Sequence, residues 1–179
     1  MQKNAASCVL ALAVMTSGCA TPQRDGNVQA SGERVPAEFI DSRGARTGSA
    51  VLTETANGVL IDVELRNLEP GWHGFHIHER GDCRRPDFES AGGHFMPDAQ
   101  AHGFMTGNGP HAGDLPNLFV GMDGTARVQA IAAGVSLRAG GNALMDHDGA
   151  AIVVHSGEDD YRSQPSGGSG KRVSCAEIG

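Results

Sequence analysis

Aromatic side chains are scarce in this 179-residue chain, at 4% of the total with one tryptophan and one tyrosine. Basic residues are outnumbered, 14 against 21 acids, which leaves a formal charge of -7. No basic cluster offsets that charge, so non-specific nucleic-acid binding is excluded, because phosphates would be repelled. Long apolar runs are missing too: the run centred on Val9–Met15 is too short to span a bilayer as a mature helix. No convincing helical periodicity and no internal repeat is present. What the chain has instead is glycine, 26 residues, and valine-rich segments that alternate with Gly/Asp/Asn turns. This is an all-β composition with long loops.

The opening MQKNAASCVLALAVMTSGCATPQ has one lysine, the short apolar run and then small residues, the pattern of a secretory signal. The reading divides the chain into a signal over 1–20, a polar linker over 21–32 and a folded domain over 33–179. Cys8 and Cys19 fall in the signal, which leaves Cys83 and Cys175 for the domain. Two such cysteines in an exported chain are expected to form a bridge. Two processing routes compete at the signal's end. Ser17-Gly18-Cys19 resembles a bacterial lipoprotein box, although Thr16 stands where leucine is usual. Lipid on Cys19 would tether the domain to a membrane through the linker. Cleavage after Ala20 is the rival, since Gly18 and Ala20 satisfy the small-residue rule. The lipoprotein route is preferred because a cysteine at the end of a signal has little other use.

Strand-like runs are read at Arg34–Ile40, Ser49–Thr55, Val59–Leu65, Gly74–His78, Leu118–Gly121, Ala126–Ile131, Ala150–His155 and Arg172–Ile178, with a hairpin signal at Asn57-Gly58. Two segments fail to read as strands, about Glu79–Leu115 and Ser156–Lys171, and loops of that length are usually functional. In the run FHIH, side chains two apart point the same way, so His76 and His78 lean toward one point while Phe75 and Ile77 face the other side. The first loop adds His94, His102, His111 and Asp114, and His155 closes the apolar run AAIVVH. Imidazole suits copper and zinc, and a carboxylate among histidines is compatible with zinc. Six histidines and one aspartate exceed one tetrahedral site, which implies two metals.

At this point PGWHGFHIHE, AGGHF, the eight-residue step from His94 to His102, nine more to His111, HAGDL with Asp114, VVH followed by DDY, and the final RVSC resemble copper/zinc superoxide dismutase. The close HIHERGDC spacing resembles that family's bacterial, exported branch. The resemblance runs from about Glu33 to Gly179 and implies an eight-stranded antiparallel Greek-key β-sandwich or flattened barrel with two long functional loops. It implies His76, His78, His94 and His155 as copper ligands and His94, His102, His111 and Asp114 as zinc ligands, with His94 bridging. It further implies dismutation of the superoxide anion, with Arg172 guiding the anion, His94 taking part in proton transfer, and Asp159 accepting hydrogen bonds from one histidine of each metal. A Cys83–Cys175 bridge would then set Arg172 beside the copper. Arg84, Arg85 and Lys171 are further candidates for a locally positive field, while His73 and His147 match no ligand. A homodimer and a monomer both fit.

The chain departs from the family's pattern in Cys175-Ala176-Glu177-Ile178, in Met96 after Phe95, and in the loop SQPSGGSG after Tyr161-Arg162. None of these removes a ligand, although the first leaves the packing of the last strand open. Two rival readings are a dismutase-like module that binds or delivers copper without catalysis, and a zinc hydrolase, which lacks here any HExxH-like general base. For the N-terminus the expected outcome is a mature chain beginning at acylated Cys19, read by intact mass. A chain beginning at Thr21 without lipid refutes the anchor.

Overall fold

Two alternating apolar runs joined by two residues fold back on each other, and this is how the sheet begins. Strands β1 (Arg34–Asp41), β2 (Arg46–Thr55) and β3 (Gly58–Leu65) form an antiparallel meander. The turn between β2 and β3 lies one residue earlier than the sequence suggests. Thr55 pairs with Gly58, so the connecting residues are Ala56 and Asn57. Gly58 is instead the first strand residue, with φ 136°, where a side chain would run into the backbone of Ala132. The computed structural model describes residues 32–179; the signal segment, Cys8, Cys19 and the linker up to residue 31 lie outside the described residues.

The remaining strands are β4 (Gly71–His73), β5 (Phe75–His78), β6 (Leu118–Val120), β7 (Ala126–Ala133), β8 (Ala150–His155) and β9 (Arg172–Ile178). Together with β1, β2 and β3, four of these form one antiparallel sheet in the order β5-β8-β9-β1-β2-β3-β7, and β4 pairs with β6. Because β4 leads into β5 and β6 into β7, the small ladder links the two edges of the large sheet. The expected antiparallel all-β architecture is thus present, with nine strands rather than eight among the described residues. The extra one is β4, over Gly71–His73, which the sequence does not mark as a strand; Gly74 separates it from β5, which fills all but the first residue of the strand expected at Gly74–His78. Gly74 N–H donates to Gly157 O at 2.8 Å and Gly74 O accepts from His155 N–H at 2.9 Å. A Cβ at Gly74 would lie 2.7 Å from Ser169 Cβ, so this close approach of the second loop requires glycine.

One face of the curled sheet encloses the core of Phe39, Leu52, Ile61, Phe75, Ile77, Leu118, Ile152, Val154 and Ile178. β8 is buried along its whole length, and its alternation shows why. Ala150, Ile152 and Val154 join the core, whereas Ala151 and Val153 pack with Cys83, Phe88, Ala91 and Cys175 under the first long loop. His76 pairs with Val153 and His78 with Ala151, which places both histidines on that outer face. The second face is therefore covered by loop, and β5 is buried on both sides. A third irregular segment, residues 134–149, which the sequence reading did not single out, buries Val135, Leu137 and Leu144 in the core.

Cys83 and Cys175 are bonded, with Cα atoms 5.8 Å apart across a separation of 92 residues. Glu177, one of the departures from the family pattern, supports this tie: its Oε1 accepts the Cys83 N–H at 2.8 Å. Ala176 is fully buried, so the small side chain fits the final strand. Replacing both cysteines by alanine is expected to cost about 2–4 kcal/mol of stability. The measurement is urea unfolding, with faster amide exchange confined first to residues 84–92; unchanged stability and exchange would refute a restraining role for the bridge.

Candidate metal centre

β5 lies at the edge of the large sheet, and the first long loop takes up its free side. Ile77 N–H donates to Gly113 O at 2.8 Å and Ile77 O accepts Phe95 N–H at 2.8 Å. His76 and Asp114 face each other across this seam, as do His78 and His94. Backbone pairing thus brings donors distant in sequence to one place.

Four imidazoles, those of His76, His78, His94 and His155, offer nitrogens that all lie within 4.8 Å of one another, and so do the ligand atoms of His94, His102, His111 and Asp114. In each ring a neighbour occupies one nitrogen and leaves the other. His78 Nδ1–H donates to Gly92 O at 3.0 Å and His155 Nδ1–H to Gly170 O at 3.3 Å. Their Nε2 atoms then face each other at 3.4 Å. His76 Nε2–H donates to Asp159 Oδ2 at 2.7 Å, leaving Nδ1. Hydrogen bonds of this kind fix tautomer and orientation around a metal.

On the other side, Asp114 Oδ1 lies 2.8 Å from His94 Nδ1, 3.1 Å from His102 Nδ1 and 3.2 Å from His111 Nδ1. His94 and His111 Nδ1 are 3.4 Å apart. Bonds of about 2.0–2.1 Å to a tetrahedral zinc would set such ligand atoms about 3.3–3.4 Å apart. The donor set needs only a small expansion to fit. Asp114 Oδ2 accepts the amides of Gly103 at 2.8 Å and His111 at 3.0 Å, which aims Oδ1 at the histidines. His94 faces this group through Nδ1 and the other group through Nε2.

Among the described residues, the buried side-chain nitrogens or oxygens without a partner are His76 Nδ1 and His94 Nε2. Leaving such atoms unpaired costs about 1–3 kcal/mol each. Both belong to the all-histidine group, where a cation would satisfy them. The residues therefore fit copper in one group and zinc in the other by donor chemistry. Burial pushes His76 down to about 4 and His155 to about 3, with neighbouring imidazoles adding to it, and holds His78 well below its ordinary value. These rings are neutral, as ligands must be.

Asp159 joins the two groups. Its Oδ1 accepts His102 Nε2–H at 3.0 Å while Oδ2 takes His76. Burial opposes protonation of His102, but Asp114 and Asp159, one on each ring nitrogen, outweigh it and raise the group to about 9; a zinc at Nδ1 would take the place of the proton on that nitrogen. Both carboxyls are held below the usual carboxylate range because these histidine hydrogen bonds exceed the effect of burial. Asn117 brackets the Asp159 backbone, its side chain donating to Asp159 O at 2.8 Å and accepting Asp159 N–H at 2.9 Å. Gln164 ties the loops together by accepting His102 N–H and donating to His102 O, both at 2.9 Å.

A cavity of about 210 Å³ reaches the all-histidine group and is lined by His78, Glu89, His94, His155, Ser166 and Arg172 among others. Arg172 donates to Phe88 O and to Gly92 O, each at 2.6 Å. Gly92 O thereby serves both the arginine and His78. Of the other basic candidates, Arg84 pairs with Asp82 at 2.9 Å and Arg85 donates to Arg43 O at 2.8 Å. Neither they nor Lys171 line this cavity. A wider groove of about 510 Å³ among Arg46, Glu64, Phe119 and Arg127 contains none of the ligand set.

His73, which the sequence marks as a structural or surface residue and not a ligand, proves structural. It is buried, and its ring spans Glu69 O at 2.8 Å and His155 O at 2.6 Å, bracing the backbone of His155. His147 is a surface residue, its side chain 97% exposed.

The sequence profile described as Copper/zinc superoxide dismutase (SODC) matches residues 46–178. A protein of Aquifex aeolicus named superoxide dismutase [Cu-Zn] 2 is 46% identical over 144 residues, covering 79% of this chain and 84% of that protein. The Caulobacter vibrioides superoxide dismutase [Cu-Zn] is 46% identical over 138 residues, covering 75% and 79%. Among solved structures, a superoxide dismutase-like protein from Bacillus subtilis superposes with TM-score 0.77 at 41% identity, covering 80% of this chain and 97% of that one. The Cu/Zn superoxide dismutase from Brucella abortus gives 0.68 at 29%, covering 82% and 100%.

Asp159→Asn keeps the size but removes an acceptor that both loops use. The expected outcome is a loss of about 10–100-fold in affinity for both metals, read by competition with a chromophoric chelator. A loss confined to one metal would refute the linking role.

Proposed function

The chain belongs to the copper/zinc superoxide dismutase family, and from that premise we propose a division of labour among its residues. The enzyme converts superoxide to oxygen and hydrogen peroxide, with copper and zinc as cofactors. We assign His76, His78, His94 and His155 to copper and His94, His102, His111 and Asp114 to zinc. One observation carries the assignment: the two orphaned nitrogens, His76 Nδ1 and His94 Nε2, sit in the group that an arginine-lined cavity reaches.

Copper, when bound, supplies alternating one-electron chemistry that turns two superoxide anions and two protons into one oxygen and one peroxide. The chain's own groups do the rest. Arg172 presents a fixed positive charge beside the cavity, drawing in a small anion and orienting it toward the histidines. Its position relies on carbonyls of the first loop, which Cys83 ties to Cys175 in the same strand as the arginine. His94 Nε2, buried and without a protein partner, is the atom at which a proton is held for the departing peroxide. His94 Nδ1 stays with the zinc group throughout, so the ring keeps its place. Asp159 holds His76 and His102 in fixed tautomers.

The placement of Arg172 in the same cavity favours catalysis over a copper-carrying module, which would need no anion guide. All these groups come from one chain, so the chemistry needs no second copy. A homodimer would form through the exposed apolar pair Trp72 and Phe119, whose rings meet at 5.1 Å. We place the mature enzyme in the periplasm, anchored by lipid on Cys19. That placement is supported by the N-terminal pattern and by a disulfide, which persists in oxidising compartments.

His155→Ala is expected to abolish dismutation and lower copper content while zinc remains. Asp114→Ala should reverse the order, losing zinc first. Elemental analysis beside a superoxide assay reads both, and equal loss of the two metals in His155→Ala would overturn the division. Arg172→Glu should slow turnover more than Arg172→Ala with copper retained in each; equal rates would refute guidance by charge.

A further inference from the structure

Arg172 shares the mouth of its cavity with an acid. Glu89, in the first turn of the 3-10 segment Glu89–Ala91, lines the same cavity and places Oε2 at 3.7 Å from Arg172 Nη2. Among the described residues no other acid lines that cavity. The two partners differ in freedom. The arginine side chain is 13% exposed and committed to two carbonyls, whereas the glutamate side chain is 72% exposed. The backbone beneath Glu89 is fixed, because Phe88 is fully buried and its carbonyl is taken by Arg172. Only the carboxylate can swing. Arg172 does not need it for position, since Phe88 O and Gly92 O already hold the guanidinium.

We propose that Glu89 is a displaceable internal competitor for the anion-binding face of Arg172, and so sets how tightly this cavity holds small inorganic anions. The proposal rests on the reading of Arg172 as the anion's guide. A carboxylate near the guanidinium and an arriving anion seek the same N–H donors and repel each other. With the glutamate side chain 72% exposed and 3.7 Å away, the pair is weak, so an anion can open it. The pair nevertheless lowers the affinity for every anion by a constant factor, substrate included. The mouth thereby resists occupation by the phosphate and chloride around it, and its encounter with substrate is slowed by the same competition.

The test uses Glu89→Gln, with Asp87→Asn as a control for a nearby exposed acid that does not line the cavity, and Arg172→Gln as a control for the site itself. In zinc-loaded, copper-free protein, inorganic phosphate is titrated while the Arg172 Nε–H resonance is followed. Glu89→Gln should bind phosphate about two- to fivefold more tightly, and Asp87→Asn should match the wild type. In the copper-loaded enzyme, Glu89→Gln should raise the second-order rate with superoxide at low salt, and the gain should shrink as salt screens the pair. Unchanged phosphate affinity in Glu89→Gln overturns the proposal, as does an equal gain in Asp87→Asn, which would trace the effect to overall charge. If Arg172→Gln leaves both the phosphate titration of a reporter resonance at Gly93 and the superoxide rate unchanged, it is the role of Arg172 that fails.

Discussion

A protein interior tolerates a buried imidazole only when both ring nitrogens have partners, and this chain buries six of them against two carboxylates in one place. Much of the structure follows from that constraint. Carbonyls of Gly92 and Gly170 and the carboxylate of Asp159 each take one nitrogen of a ring, which commits the opposite nitrogen to a shared point. The arrangement cannot be closed by protein atoms alone, as the orphaned nitrogens of His76 and His94 demonstrate. Two cations complete it. His94 and Asp159 connect the two halves by different means, one through a single ring and the other through the two oxygens of one carboxyl.

The loops that carry these groups are not ornaments on a barrel. They form the second layer over the outer face of β5 and β8, replacing the packed sheet or helix that would otherwise cover it. The disulfide holds this layer to the final strand, and Gln164 and Asn117 hold the second loop to the first. The arginine's orientation is a product of the same layer, because its acceptors are carbonyls of the first loop.

How much of this could be read from the residues depends on the range of the interaction. The alternation in Phe75–His78 places two histidines on one side of a strand, and that local rule survives intact in the fold. The cysteine pair was legible from the two cysteines left outside the signal, and the ligand spacing through resemblance to a family. The short strand Gly71–His73 and its separation from β5 were not, because Gly74 is hydrogen-bonded to Gly157 and His155 and crowded by Ser169, all far along the chain. The turn at Ala56-Asn57 was misplaced by one residue, since Gly58 reads as a turn glycine although crowding by Ala132 demands it. His73 read only as a structural or surface residue, Glu177 only as a departure from the family's pattern, and Glu89 carried no signal at all. Each acquires its role from a contact with a distant backbone or side chain, through His155 O, Arg172 and the Cys83 amide.

The seam between β5 and the first loop has a consequence of another kind. A sheet edge presents unpaired amides and carbonyls to any extended chain that meets it, and apolar edges are templates for aggregation. Here Ile77, at the edge of the largest sheet, gives its amide to Gly113 and its carbonyl to Phe95, residues one position from Asp114 and His94. The segment that holds the ions is thus also the cap on the edge. Whatever keeps the loop in register keeps β5 from pairing with a neighbour molecule, so the same backbone pairing that gathers the histidines also closes the sheet's edge.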